Sequence, residues 1–404
     1  MEQPENQFKI VNDTVPKRSG IKNLLFFILL ATAVVITSLF MYLKSKDVDI
    51  KSLSVNDFID ELFYTSDNNG KSLIINEVKY ELDEKPVFTT YNGLVIKAIK
   101  DRVSALNEDG KEKWVIPETV SNPIVKTAGD YLLVADVGGK DIVLISGDKV
   151  VLSQKMKNNI VTADINEEGY ISIIQEYKGY KGEVVILNSN GAEIRRRRIA
   201  KKFIFMSKAS NDGEKFFING LLAYGVRSEA CIDLNDVNKK DGLEIKKEEV
   251  SIFTFAWFLD NNNLIAVGDS TIFSFNDKAE QNWKCEISNS KIVSADKFTS
   301  TSIALAVSEV DNAGEIAGNK TDIVIVNKSG LKTVIFTIDS RVKNIKCHSG
   351  IIAINTGNAV FYINKDGKLL SKYNSKTNIS VVNFLSRKKT ALSEKNSIVI
   401  NAIK

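Results

Sequence analysis

The sequence predicts an all-β protein: an eight-bladed β-propeller, with seven blades as the alternative, preceded by one transmembrane helix. Three observations predict it. A unit of hydrophobic strand, Asn, short polar stretch with Gly and second strand recurs every 37–51 residues. A charge-free apolar run fills residues 23–43. The last repeat stops three strands into a unit, while an extra strand stands ahead of the first.

The elements follow in chain order. Residues 1–22 are polar, carry Pro4, Pro16 and Gly20, and read as a flexible cytoplasmic tail. Residues 23–43 read NLLFFILLATAVVITSLFMYL. That is close to the ~20 apolar residues an α-helix needs to cross hydrocarbon. Lys22 and Lys44 bracket the run, and Tyr42 stands at its edge as an interfacial aromatic would. The run is longer than a signal-peptide core and no small-residue cleavage pattern follows it, so a retained anchor is expected. Lys9, Lys17, Arg18 and Lys22 precede it, and Lys44, Lys46 and Lys51 follow closely, so the charge bias across it is small. A short N-terminal tail and a large C-terminal domain favour a cytoplasmic N-terminus, with the propeller outside the cytoplasm.

Residues 44–66 read as a linker with a short amphipathic helix. Ser54 can cap it, Asp57 suits its positive end, and Val55, Phe58, Ile59, Leu62 and Phe63 fall on one face. This stretch can pack on its own domain, lie on the membrane or pair with a partner.

The propeller is expected over residues 67–404. Its repeat reads SALNEDGKEKW at 104–114, VILNSNGAEI at 185–194, IFSFNDKAEQNW at 272–283, VIVNKSGLKTV at 324–334 and FYINKDGKLL at 361–370. VLISGDKVVL at 143–152 and CIDLNDVNKKDGLEI at 231–245 are degenerate copies. Asn-x-x-Gly and Asp-Gly tolerate the positive φ that tight hairpins demand. Taking Asn107, Ser146, Asn188, Asn235, Asn276, Asn327 and Asn364 as turn anchors, the gaps are 39, 42, 47, 41, 51 and 37 residues. A four-stranded propeller blade has a period of about 40–50 residues. One more period reaches Asn401, where the chain ends three strands into a blade. The strand at 72–82, after DNNGK at 67–71, is expected to supply the fourth and remove the free sheet edges.

These residues carry a resemblance. Ala105-Leu106-Asn107-Glu108-Asp109-Gly110-Lys111-Glu112-Lys113-Trp114 resembles the repeat of pyrroloquinoline-quinone-type propellers, A-x-D-x-x-T-G-K-x-x-W. There the motif turns the two outer strands and docks a Trp between blades. Asn107 replaces the Asp and Asp109 the Thr. Trp283 matches in a second repeat, where Ala279 replaces the Gly. The layout of one span and a degenerate propeller also resembles single-pass propeller proteins of low-GC Gram-positive bacteria, a resemblance that implies no known activity.

A quinone-dependent dehydrogenase is the enzyme this resemblance suggests. Its calcium or lanthanide site, its adjacent cysteines and its C-x-x-C-H haem motif are all missing. The single histidine, His348, excludes a multi-histidine metal centre. It neighbours Cys347, and adjacent strand residues face opposite ways, so the two are not read as a catalytic pair. Asp236–Gly242 fails as a calcium loop because Lys240 falls at a ligand position and no Glu closes it. It reads as a long hairpin turn. The three cysteines, Cys231, Cys285 and Cys347, form no C-x-x-C and read as small buried hydrophobes. No catalytic, metal or cofactor residue is therefore expected, and no cofactor.

With 54 basic and 50 acidic residues, no nucleic-acid partner is expected. The sharpest charge feature is Arg195, Arg196, Arg197 and Arg198 with Lys201 and Lys202, placed on an outer blade strand. It is the candidate binding surface, able to meet anionic headgroups or a wall polymer. Its bland reading is a solvated edge strand whose charges deter edge pairing. The expected function is a non-enzymatic, membrane-anchored scaffold binding a protein of the cell envelope. A wall-glycan or small-ligand sensor is the alternative.

Overall fold

The computed structural model describes residues 19–45, 72–248 and 250–403. Most of the tail, the amphipathic stretch 54–63 and the DNNGK segment lie outside the described residues. The chain divides into two units, Met1–Ile50 and Lys51–Lys404.

In the first unit, one helix, α1, spans Ser19–Ser45. Side chains are described for residues 24–38 and 41, and all are exposed. Among the described residues, no helix is long and apolar enough to cross a membrane.

The second unit holds eight four-stranded antiparallel sheets, so the count is eight blades and not seven. Blades 1 to 7 are consecutive meanders over residues 87–116, 123–155, 160–199, 203–247, 255–286, 290–339 and 344–374. Blade 8 has three strands within 381–402, and β1, Leu73–Lys79, supplies its outermost strand. Strand β1 pairs antiparallel with β32, Ser397–Ala402, from Leu73↔Ala402 to Lys79↔Ser397. The closure expected of residues 72–82 is thus formed. Beyond Lys79 the chain leaves the sheet for a 3-10 turn at Leu82–Glu84.

The first strand of each consecutive meander lies innermost and, between most neighbouring blades, meets its counterpart. A buried apolar cluster fills the space between each successive pair of blades. Ile96, Val103 and Ala105 of blade 1 meet Leu132, Val134 and Val143 of blade 2, for example. Val95 and Leu106 on the other faces of blade 1 meet Leu385, Ile398 and Ile400 of blade 8. Middle strands are covered on both sides, which explains their unbroken apolar runs. Ile171–Gln175 and Gly182–Leu187 are buried at every residue. Outermost strands face a neighbour on one side only and alternate, as Lys149–Lys155 does.

The Asn turn explains the repeat. In five blades the Asn Oδ1 accepts the N–H of the residue four places on, at 2.8–3.0 Å from Lys111, Ala192, Glu280, Leu331 and Lys368. The N–H three places on donates to the Asn carbonyl, as Gly110 does to Asn107 at 2.9 Å. That residue is left-handed: Gly110, Gly191, Gly330 and Gly367 have φ of 77–82°, and Ala279 has φ 64°. Glycine is needed there for a second reason. Each turn rests on the outermost strand of the preceding blade. A Cβ at Gly110 would lie 2.7 Å from Val78, and one at Gly330 2.8 Å from the Trp283 ring.

Blade 4 departs from the expected anchor. Asn235 lies on the strand Arg227–Asp236 and is buried, donating to the carbonyls of Asp233 and Phe216. The turn begins at Asp236, whose Oδ1 accepts the Asn238 N–H at 2.9 Å. Residues 237–242 then form the long hairpin loop.

Candidate functional site

The basic run lies on β13, Glu193–Ile199, the outermost strand of blade 3. Side chains on a strand alternate, so the run divides into two sets with different partners. Arg196 and Arg198 reach Glu183, at 2.6 Å and 3.2 Å. Glu183 is fully buried on the neighbouring strand, in register with Arg198. It also accepts a hydrogen bond from the Gln175 amide. A carboxylate in that position is tolerated only because cations and donors surround it. Arg196 also grips Glu193 at 2.5 Å, and Arg198 lies 4.3 Å from the centroid of the Tyr177 ring. The hydrogen bond from Arg196 holds the Glu193 carboxyl below its usual range.

Arg195 and Arg197 turn towards blade 4. Arg195 donates to the Lys240 carbonyl at 3.0 Å. Arg197 donates to Asn235 and lies 3.6 Å from Asp233.

Lys202 corrects the expected surface. It is 2% exposed, with its Nζ 2.7 Å from Asp233 and 3.6 Å from the Cys231 sulfur. The sequence placed it with the exposed run because a Lys after a strand is ordinarily solvated. Here the chain enters blade 4, and the ammonium neutralises a buried carboxylate. Burial pushes the Cys231 thiol up to about 12, so it is a neutral thiol at physiological pH. Cys231, Asp233 and Glu244 bring ligand atoms within 4.8 Å of one another. Asp233 is already matched by Lys202 and a neutral thiol is a poor ligand, so these residues fit an ion pair better than a metal.

Of the six candidate residues, then, Arg198 and Lys201 are exposed, Arg195, Arg196 and Arg197 are half-buried, and Lys202 is buried. Sequence reasoning missed Glu183 and Asp233. The available signal was a carboxylate set inside each of two short apolar runs, GEVVIL and ACIDL, within one or two hairpins of the basic run.

A second concavity opens at one mouth of the ring axis. It is an open cavity of about 440 Å³ lined by the innermost strands of blades 1, 2, 7 and 8. Thr89, Lys126, Lys346, His348, Asn383 and Phe384 contribute to it. His348 stacks on Phe384, with ring centroids 5.4 Å apart. Cys347 instead packs against the cluster between blades 6 and 7, and its N–H donates to Asp296 at 2.8 Å. The two residues point apart, and burial raises the Cys347 thiol well above its ordinary value. The mouth offers hydroxyl, amide, aromatic and ammonium groups, which suits recognition of a polar segment.

A closed ring of eight such blades defines a β-propeller protein. The chain belongs to DUF5711, a family of unknown function, which it matches over residues 54–401. No curated protein matches the sequence. Among solved structures it is similar to the C-terminal WD40 domain of Sif2, with TM-score 0.58 and 12% identity over 83% of this chain and 99% of that one. It is also similar to Sqt1 from Chaetomium thermophilum bound to the N-terminus of ribosomal protein L10, with TM-score 0.53 and 10% identity over 84% and 98%. At these identities the likeness is one of fold.

Proposed function

We propose that this protein is a membrane-tethered scaffold whose propeller binds a protein partner outside the cytoplasm. Rigidity of the binding surface carries the reading: a ring closed by its own first strand presents a fixed polar mouth lined by Lys126, His348 and Asn383, with Lys346 held at its side by Asp296 at 3.3 Å. Sqt1, a propeller of similar architecture, binds the N-terminus of another protein, and this chain is read as taking a polypeptide segment in a comparable way. Residues 23–43 act as the anchor, on the strength of their apolar, charge-free sequence and the exposure of every described side chain in α1.

The ion pairs of β13 weaken the alternative, a wall-polymer or headgroup binder. Four of the six candidate cations, three of them on β13, are matched by carboxylates within the domain.

In intact host cells, crosslinking of the tagged full-length protein is expected to enrich one or two envelope proteins, and Asn383→Arg with His348→Glu to abolish that enrichment. Enrichment that survives both changes would remove the axial mouth from the reading. Retention of wall fragments alone would favour the polymer binder. Asp148→Cys, on an exposed turn, is expected to label in whole cells with a membrane-impermeant maleimide; labelling only after lysis would reverse the topology.

A further inference from the structure

We infer that residues 54–66 of this chain dock against the outer edge of blade 8, over Leu73, Ile74 and Ile75. The site comes first. Strand β1 is an edge strand, and its first three residues are all apolar and 50%, 54% and 36% exposed. Alternation should have turned one of them inward. It does not, because the register with β32 shifts between Ile74 and Asn76 and leaves Ile75 as the extra residue of a bulge. Three consecutive apolar side chains are therefore left facing out at an open strand edge. Such an edge is ordinarily blunted by charge or covered by another element.

The occupant is argued from three observations. The family match begins at residue 54, eighteen residues ahead of Ser72, so this stretch belongs to the family's domain rather than to a variable linker. Its apolar residues, Val55, Phe58, Ile59, Leu62 and Phe63, form one helical stripe, while Asp57, Asp60 and Glu61 take the other side. That stripe needs an apolar counterface. Finally, Phe63 is nine residues from Ser72, and nine residues reach at most about 30 Å, enough to fold back along the ~23 Å length of β1. The bulge and the stripe thus complete each other, one chain segment covering the edge of the next.

The test uses full-length protein in nanodiscs, with a photo-crosslinking benzoyl-phenylalanine at position 74 and, as control, at the similarly exposed Val151 on the outermost strand of blade 2. Heavy- and light-labelled protein are mixed so that crosslinks within one chain are told from those between copies. Position 74 is expected to crosslink within 54–66 of the same chain, and position 151 is not. Phe58→Asp with Leu62→Asp is expected to abolish that crosslink while the β-sheet circular dichroism is retained. Crosslinks from position 74 to lipid, to a second copy or to another protein, or no crosslink at all, would overturn the inference. So would a crosslink unaffected by the double substitution.

Discussion

The turn glycines separate two demands that the repeat combines, and a pair of substitutions distinguishes them. Gly147 is left-handed, with φ 64°, and a Cβ there would meet nothing within 4 Å. Gly367 is left-handed too, with φ 78°, but its Cβ would overlap the carbonyl oxygen of Ile335, on the outermost strand of blade 6. Gly147→Ala therefore tests backbone conformation alone. A left-handed L-residue costs about 1–2 kcal/mol, offset by about 0.4–1 kcal/mol from the stiffer unfolded chain, so a net loss of up to about 1.6 kcal/mol is expected. Gly367→Ala adds overpacking against a backbone atom, for which about 1–3 kcal/mol is typical and the upper end applies, since a paired strand yields less than a side chain. The difference between the variants should be about 2–3 kcal/mol, or roughly 3–4 °C in Tm at this size. Thermal and urea unfolding followed by circular dichroism measure it. Equal destabilisation by the two variants would refute the argument that blade-to-blade approach requires glycine at Gly367.

Three further outcomes are expected. Deleting residues 72–82 removes the outermost strand of blade 8 and should lower the melting temperature by well over 5 °C, a loss of several kcal/mol; a deleted form that melts like the parent would contradict the closure. Glu183→Ala leaves Arg196 without its buried partner and should cost about 3 kcal/mol by urea unfolding, as removing one member of a buried pair does. Cys231, held neutral by burial with a pKa of about 12, should resist iodoacetamide at pH 8 until the protein is unfolded in urea.

The blade count and its order were readable because each turn meets a conformational demand that few residues satisfy. Asn107, Asn188, Asn276, Asn327 and Asn364 each accept two or more backbone bonds locally, and local bonds leave a local signature. Ala279 is the exception that the φ of 64° tolerates. The indole N–H of Trp283 donates to the Lys328 carbonyl at 2.7 Å, so this side chain docks on the turn of the next blade. Blade 4 was misread because Asn235 and Asp236 are both good turn residues, and the choice between them depends on Arg197, thirty-eight residues away. The fate of the basic run was hidden for the same reason. Whether an arginine is free or neutralised is decided across hairpins, by Glu183 and Asp233, and a charge run looks identical in either case. The axial mouth draws on four blades and has no contiguous sequence at all.

Ring closure also sets a timetable for synthesis. Ile74 pairs with Asn401, a separation of 327 residues. At about 5–20 residues per second, the first strand waits roughly 16–65 s for the strand that will hold it. Through that interval β1 lacks the strand it pairs with, and the seven intervening blades can assemble as an open arc. Nothing seals the arc until Ser397–Ala402 are made. A nascent chain truncated only a few residues before Ser397 should therefore present both an unpaired first strand and an open blade 8, the state in which this protein is most exposed to chaperones, proteases and strand exchange with a second copy.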